Sequence, residues 1–178
     1  MNEILQHNFE TIKPVSVFTT TIVNSDMTDK LIEEIKKTGD KQDHKTNVKA
    51  YMTDWNMSGK PGFDEFEKGV LDITKFLSKK YYRREIKPRI SDLWGMIYNR
   101  GNYAITHDHW PALWSGVYYI KAPKNSGDLL FPQLKQKITP KDGLLVIFDG
   151  ATRHGVGESF SDEERIAISF NIKEDTSA

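Results

Sequence analysis

The sequence predicts a mainly β domain of the α+β class, in which a sandwich or barrel of short strands has helices packed on one face. Two features of the chain indicate this. Two helical patterns occupy its first half, and six short runs with strand character follow Pro88. With 178 residues, the chain has the length of one ordinary domain. We therefore expect a single domain over residues 1–178, with an N-terminal strand and helices in 1–89 and a β core in about 90–173.

The first elements are predicted by residue type and by capping signals. Residues 15–23, with the sequence VSVFTTTIV, are rich in β-branched side chains and predict an opening strand. A short amphipathic helix is expected next, with Ser25 or Asp26 as its N-cap and Gly39 at its end. This helix is expected to cover one side of a sheet.

A second helix has the clearest pattern in the chain. Over residues 62–82 the apolar positions recur at intervals of three or four, as on one face of a helix. The segment before it, residues 40–60, is polar but carries Tyr51, Trp55 and Met57. A loop with large aromatic side chains is expected to be either a lid over a site or a strap packed on the core.

The second half of the chain is predicted to be β. Its apolar and β-branched runs are short, and turn signals rich in glycine, asparagine and aspartate separate them. The predicted strands cover residues 90–97, 103–109, 113–121, 129–131, 144–148 and 165–172.

Composition excludes several classes of function. Lys+Arg and Asp+Glu number 25 each, so the chain offers no strongly basic face for nucleic acid. No apolar run approaches the roughly 20 residues that cross a bilayer, and the N-terminal residues lack a signal-peptide pattern. We therefore expect a cytoplasmic protein without nucleic-acid or membrane partners. Because the chain has no cysteine, disulfides, thiolate catalysis and zinc–thiolate sites are excluded, and any metal ligands are histidine or carboxylate.

Three histidines are candidates for a metal site. His107 and His109 are two residues apart in a predicted strand, so both side chains are expected on the same side of the sheet. His154 follows the apolar run LLVIFDGATR, and a turn after this buried strand would return the chain to the site of the other two histidines. Imidazole is a ligand for iron(II), copper and zinc. The arrangement predicts a metal held by His107, His109 and His154.

The last predicted strand begins with a candidate anion-binding residue. Arg165 and Ser169 share one face of that strand, where a guanidinium and a hydroxyl group can hold a carboxylate. The alternative is an arginine that forms a surface ion pair with a neighbouring carboxylate. The candidates for that pair are Asp162, Glu163 and Glu164.

Four aromatic residues lie near these positions in the sequence. Tyr98 and Tyr119 are either core residues whose hydroxyl groups find partners or pocket residues that add neutral donors beside Arg165. Trp110 and Trp114 are candidates for the rim of the pocket, as is the 40–60 segment. Trp114 is also suited to the core.

Several short motifs in order resemble a known family. They are Tyr98-x-x-Gly101-x-Tyr103-x-x-x-His107-x-His109, SGVYYIKAP, SGDLLF, Pro140-x-x-Gly143, LLVIFDGATRHGV and ERIAISFNI. This series resembles the 2-oxoglutarate- and iron(II)-dependent oxygenases, and more narrowly a small branch related to prolyl 4-hydroxylases. The resemblance covers residues 93–172.

The resemblance implies a fold and an activity. The implied fold is a double-stranded β-helix, a cupin-like jelly roll with helices against its major sheet. The implied cofactors are iron(II) and 2-oxoglutarate. The implied reaction uses molecular oxygen to hydroxylate an unactivated C–H bond of a small-molecule or peptide substrate, with release of succinate and carbon dioxide.

The resemblance also assigns roles to particular residues. His107 and His154 fall on the two iron-binding histidines, and Arg165 falls on the residue that pairs with the far carboxylate of 2-oxoglutarate. Tyr119 and Tyr98 fall on pocket tyrosines. Ser169 is carried over as a partner of the arginine, although many relatives place that hydroxyl two positions after the arginine, where this chain has Ala167.

One position departs from the family's common pattern. The usual site has two histidines and one carboxylate, and His109 stands where the carboxylate is expected. Asp108 is adjacent but is expected to face the other side of the strand, unless a bulge rotates it inward. The branch that the sequence resembles tends to have His-x-His, so an all-histidine site is predicted. Two rival functions fit the same residues: a three-histidine cupin-type dioxygenase that does not use 2-oxoglutarate, and a non-catalytic ligand-binding jelly roll. The dioxygenase that does not use 2-oxoglutarate gives no role to Arg165.

Overall fold

The structure, a computed structural model, describes residues 16–37 and 46–176. Within these residues it contains two α-helices, α1 (Ser25–Lys37) and α2 (Phe63–Tyr82). The strands are β1 (Val17–Thr21), β2 (Val48–Lys49), β3 (Tyr51–Met52), β4 (Pro88–Tyr98), β5 (Tyr103–His107), β6 (Trp114–Lys121), β7 (Leu129–Phe131), β8 (Gln136–Ile138), β9 (Leu144–Asp149), β10 (His154–Val156) and β11 (Arg165–Glu174).

The strands form two antiparallel sheets. One sheet has six strands in the order β1-β9-β6-β11-β4-β3, and the other has five in the order β2-β5-β10-β7-β8. The centre of the larger sheet is β11, which pairs with β4 along its whole length, from Arg165 opposite Tyr98 to Glu174 opposite Pro88. Since most neighbours in both sheets are distant in sequence, the chain crosses repeatedly between the sheets. This confirms the predicted mainly β fold.

The larger sheet buries both of its faces. Alternate residues of β11, such as Ile166, Ile168 and Phe170, pack in one apolar cluster with the buried stripes of α1 and α2. Ala167 faces the other way and belongs to a second cluster, which includes Ala104 and other residues of the smaller sheet. The side-chain period of two therefore places the helices on one face and the smaller sheet on the other. The functional residues lie in the layer between the two sheets.

The beginning of α1 differs from the prediction. The N-cap is Asn24, whose Oδ1 accepts a hydrogen bond from the backbone N–H of Met27 at 3.0 Å. Ser25 and Asp26, the predicted caps, are instead the first residues of the helix. A cap lies one position before the first helical residue, and asparagine is as good a cap as serine or aspartate. The predicted helix end at Gly39 lies outside the described residues.

Residues 46–60 form a strap across the fold. Strand β2 joins the smaller sheet beside β5, and β3 joins the larger sheet beside β4. Met57 is buried in the core, and the ring of Trp55 lies on that of Trp94 with 4.7 Å between centroids. The structure thus favours the strap over the lid for this part of the predicted 40–60 loop.

Neither of the two helices in residues 16–37 and 46–176 combines the length and the hydropathy that a membrane span requires.

Candidate functional site

A pocket opens between the two sheets. It is lined by the inward-facing residues of β4, β6 and β11 on one side and by residues of β5 and β10 on the other. The lining includes every site residue that the sequence predicted. These are Tyr98, His107, His109, Tyr119, His154, Arg165 and Ser169.

Three histidines meet at one wall of this pocket. His107, His109 and His154 each offer a ring nitrogen, and these nitrogens all lie within 4.8 Å of one another. The pairing of β10 with β5 sets His154 directly opposite His107. Three imidazoles at this separation can share one metal ion, which is a donor set suited to iron, copper or zinc.

Backbone carbonyls fix the orientation of two of the rings. Nδ1 of His107 lies 2.6 Å from the carbonyl oxygen of Ile105, and Nδ1 of His154 lies 2.9 Å from that of Thr152. A carbonyl oxygen can only accept, so Nδ1 carries the proton in both rings and Nε2 has a free lone pair. Each ring is thereby oriented by a hydrogen bond on its Nδ1, as is common for histidines that bind a metal through Nε2.

Burial keeps two of the histidines neutral. The pKa of His154 is lowered to about 3, first by burial and then by the charge of His107. The pKa of His109 is lowered to about 4 for the same two reasons in the same order. At neutral pH neither ring has to lose a proton before it binds a metal.

His109 reaches the cluster by a route that the sequence did not predict. Strand β5 ends at His107, so the predicted strand over residues 103–109 is two residues too long. A turn follows, in which the N–H of His109 donates to the carbonyl oxygen of Gly150 at 2.8 Å. Asp108 is exposed in this turn and accepts a hydrogen bond from the N–H of Trp110 at 3.2 Å. The turn brings His109, and not Asp108, to the other two histidines.

At the other end of the pocket lies a buried guanidinium group. Arg165 is 1% exposed, and its Nη1 donates to the carbonyl oxygens of Ser126 at 2.6 Å and Gly127 at 2.7 Å. Its guanidinium carbon lies 3.9 Å from the ring centroid of Tyr98. Its Nε is buried and has no hydrogen-bond partner among the described residues.

The alternative prediction, that Arg165 forms an ion pair at the surface, is wrong. The three candidate carboxylates pair with other cations: Asp162 with Arg100 at 2.7 Å, Glu163 with Lys121 at 3.1 Å and Glu164 with Lys36 at 3.1 Å. Within residues 16–37 and 46–176, no carboxylate lies within 4.0 Å of the guanidinium group. A buried cation without an anion is costly, so this end of the pocket is suited to binding a carboxylate.

Two tyrosines flank the guanidinium group. Tyr98 lies opposite Arg165 in the pairing of β4 with β11, and Tyr119 lies opposite Ala167 in the pairing of β6 with β11. Burial raises the pKa of both hydroxyl groups, although the charge of Arg165 opposes the rise. Both are therefore neutral phenols that can donate to an anion.

The remaining candidates have different positions. Ser169 lines the pocket, but four residues of strand separate it from Arg165 by about 13 Å, and its Oγ lies 3.9 Å from the sulfur of Met96. Trp114 is a core residue whose Nε1 donates to Ser78 at 3.2 Å. Trp110 is 76% exposed.

Sequence reasoning missed Trp94. This residue is 2% exposed, lines the pocket and has its ring centroid 6.2 Å from that of His109. Its Nε1 is buried without a hydrogen-bond partner among the described residues. The alternation of β4 could have identified it, because Trp94 and Tyr98 are four residues apart and share one face of that strand.

Comparison with known proteins agrees with this geometry. The chain matches a family model described as "Putative 2OG-Fe(II) oxygenase" over residues 92–139 and 132–171. Among solved structures, it is similar to the viral collagen prolyl hydroxylase of Paramecium bursaria Chlorella virus 1 in its 2OG complex. The sequence identity is 26% and the TM-score 0.68, over 88% of this chain and 94% of that one. No curated protein matches the chain.

Two further structures show the fold at lower identity. A Pseudomonas putida prolyl 4-hydroxylase is 14% identical with a TM-score of 0.69, over 89% of this chain and 92% of that one. A prolyl hydroxylase from Trichoplax adhaerens, in complex with a peptide fragment of hypoxia-inducible factor, is 17% identical with a TM-score of 0.66, over 89% and 82%. These similarities confirm the predicted double-stranded β-helix.

The cofactors of this family are iron(II) and 2-oxoglutarate, and the pocket fits both. Three convergent imidazoles, of which His109 and His154 are held neutral, suit iron(II). The buried guanidinium of Arg165 suits a carboxylate of 2-oxoglutarate. By its sequence over residues 92–171, by its fold and by its pocket, the chain is similar to the 2-oxoglutarate- and iron(II)-dependent oxygenases.

Proposed function

We propose that this protein is a 2-oxoglutarate- and iron(II)-dependent hydroxylase whose iron is held by His107, His109 and His154. Arg165 binds the far carboxylate of 2-oxoglutarate. The observation that supports this is the presence, in one pocket, of a three-histidine cluster and a buried guanidinium group without an anion. A metal site alone would not need the arginine, and an anion site alone would not need the histidines.

The side chains of this pocket bind, orient and exclude water. When bound, iron(II), 2-oxoglutarate and oxygen supply the chemistry that converts a C–H bond to C–OH, with release of succinate and carbon dioxide. The two backbone carbonyls on Nη1 fix the guanidinium plane of Arg165 before any ligand arrives. Tyr98 and Tyr119, whose rings lie near the guanidinium group, donate to the same carboxylate. We include Ser169 as a more distant pocket hydroxyl that contacts the co-substrate or substrate.

The rival functions account for fewer of the observations. A three-histidine dioxygenase without 2-oxoglutarate gives no role to Arg165, which is buried at a cost. A non-catalytic barrel gives no role to the fixed Nδ1 protons of His107 and His154, which prepare both rings for a metal. The oxygenase uses all of these groups.

The substrate is a small molecule or a peptide. A peptide is supported by the Trichoplax adhaerens prolyl hydroxylase, whose structure contains a bound peptide fragment. We also propose that the enzyme is cytoplasmic. We also propose that residues 1–178 form a single oxygenase domain.

Succinate formation tests the proposed activity. Purified protein with iron(II), 2-oxoglutarate and oxygen is expected to form succinate, at least in slow turnover without a substrate. 2-Oxoglutarate is also expected to raise the melting temperature of the metal-loaded protein. If folded, iron-loaded protein forms no succinate and 2-oxoglutarate leaves the melting temperature unchanged, the proposal is wrong. Succinate formation by a His154→Ala variant at the wild-type rate would exclude the histidine cluster as the metal site.

A further inference from the structure

The ring of His109 lacks the hydrogen bond that orients the other two histidines. Nδ1 of His107 and Nδ1 of His154 each lie close to a backbone carbonyl oxygen, whereas in the residues that the structure describes neither ring nitrogen of His109 has a partner. The backbone of His109 is fixed, because its N–H donates to Gly150 at 2.8 Å and its carbonyl oxygen accepts from Ala112 at 2.7 Å. A fixed backbone still lets the imidazole turn about its side-chain bonds. Another neighbour is needed to hold this ring towards a metal.

Trp94 is such a neighbour. It lines the same pocket, and its ring centroid lies 6.2 Å from that of His109, with 60° between the two ring planes. This separation and tilt are those of an attractive aromatic pair. The other aromatic rings paired with His109 in the described chain are His107 and His154, which are candidate ligands themselves. Trp94 is therefore the ring that can hold His109 without binding the metal.

The backbone of Trp94 is held on both edges of β4. On one edge, Trp94 lies opposite Ser169 in the pairing with β11. On the other edge, the strap bonds to the residues on either side of Trp94. The N–H of Leu93 donates to the carbonyl oxygen of Trp55 at 2.9 Å. The N–H of Gly95 donates to the hydroxyl of Thr53 at 2.9 Å. Trp94 is thus a fixed point in the pocket wall.

The strap also holds the side chain of Trp94. The ring of Trp55, 45% exposed, lies on that of Trp94 with 4.7 Å between centroids, while Trp94 itself is 2% exposed. Three rings, Trp55, Trp94 and His109, therefore form a row that runs from the surface to the histidine cluster. Because large side chains in contact restrict one another, the strap limits the positions that Trp94 can take beside His109.

We propose that Trp94 is a positioning residue for the metal centre, which the strap holds through Trp55 and which orients the imidazole of His109 as a ligand. The inference rests on the proposed function, in which three histidines hold the metal. A carboxylate at position 109 would offer either of two oxygens, whereas an imidazole binds a metal through one nitrogen, along a lone pair in the plane of the ring. A histidine at this position therefore needs its ring plane set, and Trp94 sets it.

Metal affinity measures this role without reference to activity. The metal-free protein is titrated with nickel(II), which binds imidazole more tightly than manganese(II) or iron(II), so that weakened sites stay measurable. We expect Trp94→Leu to bind nickel about tenfold more weakly, and Trp94→Phe, which keeps an aromatic ring, to lose less than about threefold. The matched control is Trp114→Leu. Trp114 is also 2% exposed but packs in the cluster with the helices, so wild-type affinity is expected.

A second background shows whether Trp94 acts through His109. Replacement of His109 by aspartate gives the common donor set of two histidines and one carboxylate, and it removes the ring that Trp94 orients. In His109→Asp, the further change Trp94→Leu is expected to alter nickel affinity by less than about twofold. A merely structural role for Trp94 would weaken binding equally in both backgrounds.

A change in the strap tests the same row from its exposed end. Trp55→Leu removes the ring that covers Trp94 and leaves Trp94 itself intact, so nickel binding is expected to weaken by about threefold in the wild-type background and to stay unchanged in His109→Asp. If the circular dichroism melting curve shows that Trp94→Leu does not fold, the decision rests on Trp55→Leu in the two backgrounds.

The possible outcomes are distinct. The role of Trp94 is overturned, and the proposed function stays intact, if Trp94→Leu binds nickel within about twofold of wild type, if Trp114→Leu loses as much, or if the loss is the same in His109→Asp. If the wild-type protein does not bind nickel, or if His154→Ala binds it as tightly, the three-histidine site and the proposed function are wrong, and the role of Trp94 with them.

Discussion

Replacement of Arg165 by methionine separates the co-substrate from the metal. Methionine keeps an unbranched stem against Tyr98 but removes the charge that the pocket buries. Loss of one partner of a buried, hydrogen-bonded charge pair costs about 2–5 kcal/mol, which is roughly 30-fold to several thousandfold in dissociation constant. Since Arg165 is 1% exposed, solvent screening does not reduce this estimate. We expect 2-oxoglutarate to bind Arg165→Met more weakly by at least 30-fold.

The assay is titration of manganese-loaded protein with 2-oxoglutarate, followed by calorimetry or by melting temperature. Arg165→Lys keeps the charge but loses the planar fork of donors, so a loss of roughly tenfold is expected. Arg100→Met is the matched control, because Arg100 is exposed and pairs with Asp162 at the surface. Manganese affinity should stay at the wild-type value in all three variants. Binding of 2-oxoglutarate to Arg165→Met within threefold of wild type would refute the assignment of this residue.

Three further outcomes are expected. His154→Ala removes a ligand of the proposed site, so manganese(II) binding should fall below detection by titration while the far-ultraviolet circular dichroism spectrum is retained. The pKa values of His109 and His154 fall from 6.5 to about 4 and about 3 on folding, so the unfolded state binds more protons below pH 6.5. The metal-free protein should therefore lose stability as the pH falls from 6.5 towards 4, by about 1 kcal/mol per histidine between pH 6.5 and pH 5.5; a flat profile in urea denaturation would contradict this. At Gly116, an added Cβ would lie 2.4 Å from Phe170, so Gly116→Ala should destabilise the fold by about 1–3 kcal/mol, whereas Gly69→Ala, in open space on α2, should stabilise it by about 0.5–1 kcal/mol.

The long, regular elements were predictable from local pattern. Helix α2 was predicted to within a residue because its apolar period extends over five turns. The strands β4, β6, β9 and β11 were predicted with small errors at their ends. The three-residue strand β7 was predicted from its apolar run, whereas β2, β3, β8 and β10, which have two or three residues and no such run, were not predicted. These short strands exist because a neighbouring strand completes their hydrogen bonds.

The histidine cluster was predicted with the right residues and a wrong local reason. The i, i+2 argument assumed that strand β5 continues through His109, whereas the strand ends at His107 and a turn supplies the third ring. Nothing in the residues between His107 and Pro111 indicates the hydrogen bond to Gly150 that sets this turn. The burial of Arg165, in contrast, was predictable because an apolar alternation follows it directly. That these residues act as the sequence suggests stays a prediction.

Strand β4 relates the two ends of the pocket. Its pairing with β11 sets Tyr98 opposite Arg165 at one end and Asp92 opposite Asn171 at the other, with Trp94 and His109 between them. Six residues of strand separate these ends by about 20 Å. The guanidinium group of Arg165 and the carboxylate of Asp92 are therefore too far apart to neutralise each other. Because the side-chain period of a strand is two, a slip of one residue in this pairing would turn both groups away from the pocket together. A single register thus keeps both side chains on the pocket side of the larger sheet.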